Sequence, residues 1–189
     1  MLKVYIAESS KVCVSDARLS ARRREKIARL RSEEQKKCSA AVELLLMHAL
    51  GASEPLEYYV NQNGKPYFPD GNIHFSLSHS GSYAACAIAD RPLGVDIEKP
   101  REGSLRLAKR FFAPDEQAEA ADDLSFCRIW VKKESYIKAA DKTLASLPDF
   151  SVVGGVAGYA FADTQFKDFC LGLCVEGEIE EFEIIEVEL

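Results

Sequence analysis

Two carboxylates stand two residues apart in Gly94-Val-Asp-Ile-Glu98, with apolar residues around them. In an extended segment side chains alternate, so Asp96 and Glu98 share one face while Val95 and Ile97 turn to a core. Like charges so close repel unless a cation or a basic partner lies between them. Hard carboxylate oxygens suit Mg²⁺, which keeps several waters and also accepts phosphate oxygens. Taken alone, D-x-E is more often an exposed acidic strand edge. In Trp130-Val-Lys-Lys-Glu134-Ser-Tyr-Ile-Lys138, helical spacing puts Trp130, Glu134 and Lys138 on one stripe with Lys133 beside it. Alone, that is a surface Glu–Lys pair under a packed tryptophan. A third carboxylate near the first two would complete a metal site facing a lysine.

Phe75-Ser-Leu-Ser-His-Ser80 sets a serine beside a histidine. Neighbours on a strand point opposite ways, so Ser78 and His79 do not pair as nucleophile and base, and no G-x-S-x-G elbow exists. Donors to a bound phosphate, or a structural histidine, are the remaining readings. Lys65, on the turn Asn63-Gly-Lys-Pro66, offers a point charge to a phosphate or is an ordinary exposed lysine. There is no G-x-G-x-x-G, P-loop or H-E-x-x-H, which argues against a Rossmann enzyme or a P-loop kinase.

The elements that must position these residues are legible in outline. Leu2–Ala7 alternates as a strand; a basic helix starts near Ala21; Ser32-Glu-Glu-Gln35 has the form of a capping box opening a helix that Gly51 ends. Strands are expected at Tyr58–Val60, Ile73–Ser78, Tyr83–Ala89 and Leu93–Ile97, the second ending as His79 is reached. Helices are expected at Leu105–Phe112, Pro114–Ala121 and Phe126–Ala140, then strands near Phe150–Val156, Phe169–Val175 and Phe182–Val187. The class is α+β, with mostly antiparallel strands.

The 189 residues fit one compact unit, and a net charge of -6 argues against a nucleic-acid binder. Residues 18–37 are nonetheless basic, while seven glutamates and no cation fill Glu176–Leu189. Such runs are solvated faces or, for the basic one, a site for a compact anion. The six cysteines form no C-x-x-C pair and read as buried free thiols of a reducing cytosol. The amino terminus lacks the form of a signal peptide and no window is long enough for a membrane span, so a cytoplasmic protein with no membrane partner is expected.

Taken in order, Gly64-Lys-Pro66, Phe75–Ser80, Gly94–Glu98 and Trp130–Lys138 resemble the 4'-phosphopantetheinyl transferases of the surfactin-synthetase-activating type. Residues 20–50 and Arg110-Phe-Phe112 extend the likeness. Serine at position 76 stands where many relatives carry asparagine, and the chain is shorter than many of them. The resemblance implies two similar α/β halves, residues 1–95 and 96–189, related by a pseudo-twofold axis, with coenzyme A between them and a monomer as the working unit. It implies Asp96, Glu98 and Glu134 as ligands of Mg²⁺ or Mn²⁺, and Lys138 beside the pyrophosphate with Lys133 as a second basic residue. Lys65, Ser78 and His79 would meet the nucleotide end of coenzyme A, and Arg23, Lys26 and Ser39 its phosphates. The implied reaction moves the phosphopantetheinyl arm of coenzyme A to a serine of an apo acyl or peptidyl carrier protein, releasing 3',5'-adenosine diphosphate. Glu134 would be the base and Lys138 would stabilise the leaving phosphate. The alternatives are a non-catalytic coenzyme A binding protein and a metal-dependent pyrophosphohydrolase.

Overall fold

A computed structural model describes residues 2–189. Its strands are β1 (Lys3–Glu8), β2 (Tyr59–Val60), β3 (Pro66–Tyr67), β4 (His74–Ser80), β5 (Tyr83–Ala89), β6 (Leu93–Glu98), β7 (Tyr159–Phe166), β8 (Phe169–Glu176) and β9 (Glu183–Val187). Its helices are α1 (Ala21–Arg29), α2 (Glu33–Leu50), α3 (Ala108–Phe111), α4 (Pro114–Glu119) and α5 (Asp123–Ala139). The class is α+β. One sheet runs β4-β5-β1-β9, a second β6-β8-β7, and β2 with β3 forms a small hairpin.

Period-two alternation builds four layers from these pieces. Tyr5, Ala7, Ala84 and Cys86 face α2, whose residues Cys38 to Met47 are all buried. On the other face of the first sheet, Val4, Ile6, Ala85 and Ala87 pack on Val95, Ile97, Leu171 and Leu173 of the second. The remaining face of the second sheet carries Gly94, Asp96 and Gly172, and α5 lies on it. The order is therefore helix, sheet, sheet, helix. Asp96 is turned toward α5 by the same alternation that buries Val95 and Ile97.

Local signals set the helix ends. Ser20 and Ser32 accept from the amides of Arg23 and Gln35, at 3.2 Å and 3.4 Å. Gly51 closes α2 at φ 64°, a left-handed conformation that favours glycine. Asp122 and Ser125 cap α5 reciprocally, each side chain bonding the other's amide, so this helix starts three residues before the expected Phe126.

Some expectations are corrected. β4 runs on through His79 to Ser80, because its pairing with β5 continues to Tyr83. No strand forms at Phe150–Val156; a 3-10 segment at Leu144–Asp149 is followed by turns, and the Val152 amide bonds the Glu116 carboxylate at 2.8 Å instead of a ladder partner. The strand lies later, as β7. β9 pairs in parallel with β1, an exception to the antiparallel rule, and so returns the chain's end to the first sheet. A division after residue 95 passes through β6, all of which lies in the second sheet.

Candidate active site

A cavity of about 400 Å³ opens where α1, the β2–β3 turn, β4, β6 and α5 converge. Arg22, Arg23, Lys26, His79 and Lys138 line it together with Asp96, Glu98 and Glu134. Each residue arrives by a structural route. Alternation on β6 presents the first two carboxylates, and a four-residue helical step presents Glu134 and Lys138.

Lys138 ties these elements together. Its ammonium donates to Asp96 Oδ1 at 2.6 Å, to the Val95 carbonyl at 3.0 Å and to Ser78 Oγ at 3.1 Å, and lies 3.9 Å from Glu134 Oε2. The Ser78 hydroxyl itself donates to Asp96 Oδ1 at 2.7 Å. Its partners are thus Asp96, Lys138 and the Ile97 amide, none of them His79, which excludes a serine–histidine dyad. Asp96 Oδ2, by contrast, is buried with no hydrogen-bond partner. A buried carboxylate oxygen left so is costly and marks a position where a cation is favoured.

Electrostatics describe the same requirement. Burial, then Asp96, push the Glu134 carboxyl up to about 7, with Glu98 adding to the effect and Lys138 opposing it. Burial also pushes Glu98 upward, with Asp96 adding and Ser80 opposing. Among the described residues, no three His, Cys, Asp or Glu side chains already form a closed ligand set. Mg²⁺ takes one or two carboxylates together with waters and substrate phosphates, and Asp96 Oδ2, Glu98 and Glu134 offer oxygens of that kind to the cavity. The donor set therefore suits a hard divalent ion.

The basic side of the cavity is strained in the opposite sense. Burial lowers Lys26, and Arg23 and Arg22 lower it further. Burial likewise lowers His79, followed by Lys26, Lys138 and Arg23. An anion among these groups relieves both. Arg23 is held for such a role: Nε donates to Glu43 Oε2 at 2.8 Å, Nη2 to the Tyr58 hydroxyl at 3.0 Å and Nη1 to Ser39 Oγ at 3.3 Å. Three of its five N–H groups are thereby committed and two are left. Glu43, wholly buried, stays below the usual carboxylate range because hydrogen bonds from Arg23, the Ser20 amide and Tyr58 outweigh its burial.

Comparison with known proteins sharpens this picture. Residues 92–171 match the model of the 4'-phosphopantetheinyl transferase superfamily. A Bacillus subtilis protein named 4'-phosphopantetheinyl transferase is 38% identical over 149 residues, covering 72% of this chain and 66% of that protein. The 4'-phosphopantetheinyl transferase Sfp of Bacillus subtilis strain 168 is 40% identical over 105 residues, covering 51% of this chain and 47% of that one. The 4'-phosphopantetheinyl transferase gsp of Aneurinibacillus migulanus is 40% identical over 96 residues, 48% of this chain and 40% of its own. The chain belongs to the 4'-phosphopantetheinyl transferase superfamily. It spans less than two thirds of the length of these relatives.

Within this superfamily member the cavity brings together Arg23, Lys26, Ser78, His79, Asp96, Glu98, Glu134 and Lys138. Three residues singled out by resemblance lie elsewhere. Ser39 is buried behind Arg23, where it accepts from the guanidinium. Lys65 lines an adjoining cavity of about 570 Å³ with Phe75, Ile137 and Leu144, and its ammonium donates to the Ala139 carbonyl at the end of α5. The two cavities share Gly64, Pro66, Leu77, Glu134 and Lys138. Lys133 is wholly buried on another side of α5. It pairs with Glu116 at 2.6 Å, donates to the Phe150 carbonyl at 2.6 Å and sits 4.2 Å from the Phe150 ring centre. Its place as a contact to coenzyme A is therefore corrected: its charge is spent joining α4, α5 and the loop at 150–152. Sequence reasoning missed Arg22 and Tyr58 as lining residues. Arg22 sits in the basic run and could have been taken with Arg23; nothing in the pattern marked Tyr58.

Proposed function

We propose that this chain transfers the 4'-phosphopantetheinyl arm of coenzyme A to a serine hydroxyl of an apo acyl or peptidyl carrier protein, working as a monomer in the cytoplasm. The observation that carries the reading is one cavity joining a basic cluster to three carboxylates, with a buried oxygen of Asp96 unpartnered among them. The relatives' names point the same way.

Arg22, Arg23, Lys26 and His79 meet the phosphates of the nucleotide end, and Lys65 and Ser78 meet it from the adjoining cavity and from β4. Asp96, Glu98 and Glu134 would hold Mg²⁺, or Mn²⁺ in its place, which when bound offsets charge on the pyrophosphate and orients it. Lys138, fixed by Asp96 and the Val95 carbonyl, faces the same pyrophosphate. In its ionised form Glu134, which burial and Asp96 make a stronger proton acceptor than an ordinary carboxylate, takes the proton released by the carrier serine as its oxygen attacks the β-phosphorus. The bond from that phosphorus to the bridging oxygen breaks, Lys138 stabilises the departing phosphate, and 3',5'-adenosine diphosphate leaves. The carrier docks beside Glu98, where the segment after β6 exposes Lys99, Arg101, Arg106, Lys109 and Arg110 around Leu107, with Leu124 exposed at the start of α5.

Intact mass of an apo carrier protein after incubation with this chain, coenzyme A and Mg²⁺ tests the reading. One phosphopantetheinyl unit should be gained, and lost with EDTA or in Asp96→Ala. Free phosphopantetheine with an unmodified carrier would instead make the chain a pyrophosphohydrolase. Bound coenzyme A without any product would make it a binding protein.

A further inference from the structure

β4 and β6 are edge strands of different sheets, yet they lie against each other without a backbone ladder. Serine side chains span the gap. Ser76, Ser78 and Ser80 alternate onto the face of β4 that looks at β6, and their hydroxyl oxygens accept from the amides of Val95, Ile97 and Lys99 at 3.0, 3.4 and 3.4 Å. Two of them also donate in the other direction. Ser78 bonds Asp96 Oδ1 and Ser80 bonds Glu98 Oε2, each at 2.7 Å.

We infer that Ser80 is a positioning residue that fixes the Glu98 carboxylate for a divalent cation, and that the serine row holds the two sheets at the spacing where the carboxylates converge. This rests on the reading of Asp96, Glu98 and Glu134 as cation ligands. Ser80 is buried and does not line the cavity, so it touches no reactant. Its single proton goes to Glu98 Oε2 and its lone pair takes the Lys99 amide, so the hydroxyl has one orientation. With Oε2 held, Oε1 is the oxygen of Glu98 left for the cavity. Arg101 approaches Oε2 only at 3.5 Å from an exposed position, too weakly to replace the serine. Ser78 acts similarly on Asp96, but Lys138 shares that oxygen.

Mn²⁺ binding to the full chain in the presence of coenzyme A, followed by electron paramagnetic resonance, tests the inference. Groups that orient a metal ligand typically contribute about 10- to 100-fold to metal affinity, so Ser80→Ala should weaken Mn²⁺ by that range. Turnover should recover at saturating Mn²⁺, with the metal requirement raised and kcat held. Ser80→Thr, which keeps the hydroxyl, should bind as the parent does. Ser76→Ala removes a seam bond that reaches no carboxylate; it should lower the melting temperature and leave Mn²⁺ affinity alone. If Ser80→Ala does not fold, Ser80→Cys keeps the size with a weak donor and should show the same loss. Parental Mn²⁺ affinity in Ser80→Ala or Ser80→Cys would overturn the inference while leaving the cation reading intact. Failure of the parent itself to bind Mn²⁺ would remove the cation reading, and the inference with it.

Discussion

At the scale of single residues, the site is built from groups whose charges the fold penalises. Glu134 is the sharpest case: burial first, then Asp96, push its carboxyl from the ordinary 4.5 up to about 7. Between those two values the folded chain keeps a proton that the unfolded chain has released, so stability falls as pH rises through the window. At about 1.4 kcal/mol per pH unit, the penalty above pH 7 is on the order of 3 kcal/mol. Glu134→Gln removes it. In the absence of metal and coenzyme A, this variant should melt several degrees above the parent at pH 8, at ~2–4 °C per kcal/mol for a chain of this size. The gain should shrink as pH falls below 7 and vanish near 4.5. The same variant should modify no carrier while keeping much of its coenzyme A affinity. Melting curves across pH 4.5–8 decide the matter; a difference independent of pH would show that Glu134 carries no raised pKa. Alternation and helical spacing made it legible in the sequence that Asp96 and Glu98 share a face and that Glu134 and Lys138 share a stripe, whereas Arg23 and Lys26 were singled out only by the family resemblance. The side of α5 taken by Lys133 was not legible. A helix covered by a sheet on one side and by loops on another has two buried faces, and spacing does not say which of them a lysine joins.

Elements carry these residues by approaching unusually closely. A Cβ on Gly94 would stand 1.9 Å from the Ser135 carbonyl oxygen and 2.8 Å from the Ala139 nitrogen, and one on Gly172 2.5 Å from the Val131 carbonyl group. Both glycines face α5, and Gly172 pairs directly with Asp96. The helix can therefore lie on the sheet at a distance that lets Lys138 reach Asp96. Gly94→Ala must lift it, since the obstructing atoms are backbone. Overpacking costs about 1–3 kcal/mol, and the shortest contact here puts this substitution at or above the top of that range. The urea midpoint should drop accordingly, and the folded fraction should lose turnover because Glu134 and Lys138 move off the carboxylates of β6. Gly154→Ala, where no atom lies within 4 Å, should change neither. Equal midpoints for the two variants would mean that the glycine does not set the helix height. Sequence pattern reached α1, α2 and β5 almost to the residue, because capping serines, Gly51 and strict alternation are local signals. It missed β7 and placed a strand at 150–156 instead, because the partner there is a buried glutamate from α4 and no local pattern announces it. Gly94 was visible inside its motif, but its reason lies in an element that crosses it forty residues later.

The whole molecule separates its charges. The carboxyl-terminal strand and its flanks are acidic and sit at the edge of the first sheet, beside β1. The segment that follows β6, from Lys99 to Arg110, exposes five cations against one acid, Glu102. It borders a small cleft lined by Glu98, Lys99, Arg101, Leu107 and Trp130, with Leu107 40% and Leu124 45% exposed. On the proposed reading, apolar side chains ringed by cations suit an acidic carrier protein, with the apolar contact giving affinity and the cations speeding encounter. A net charge of -6 would otherwise repel an acidic partner, so the local field has to differ from the global one. Leu107→Asp should raise the KM for a carrier protein about tenfold, the equivalent of roughly 1.4 kcal/mol, with the KM for coenzyme A unchanged. Arg106→Glu should act through encounter, so its effect should be large at low ionic strength and fade as salt screens it. Glu181→Lys, on the acidic side, should leave the carrier KM where it is. Steady-state kinetics with carrier and coenzyme A varied in turn, at two salt concentrations, separates these outcomes. A carrier KM that responds to Glu181 and ignores Leu107 would move the docking face to the opposite edge of the molecule.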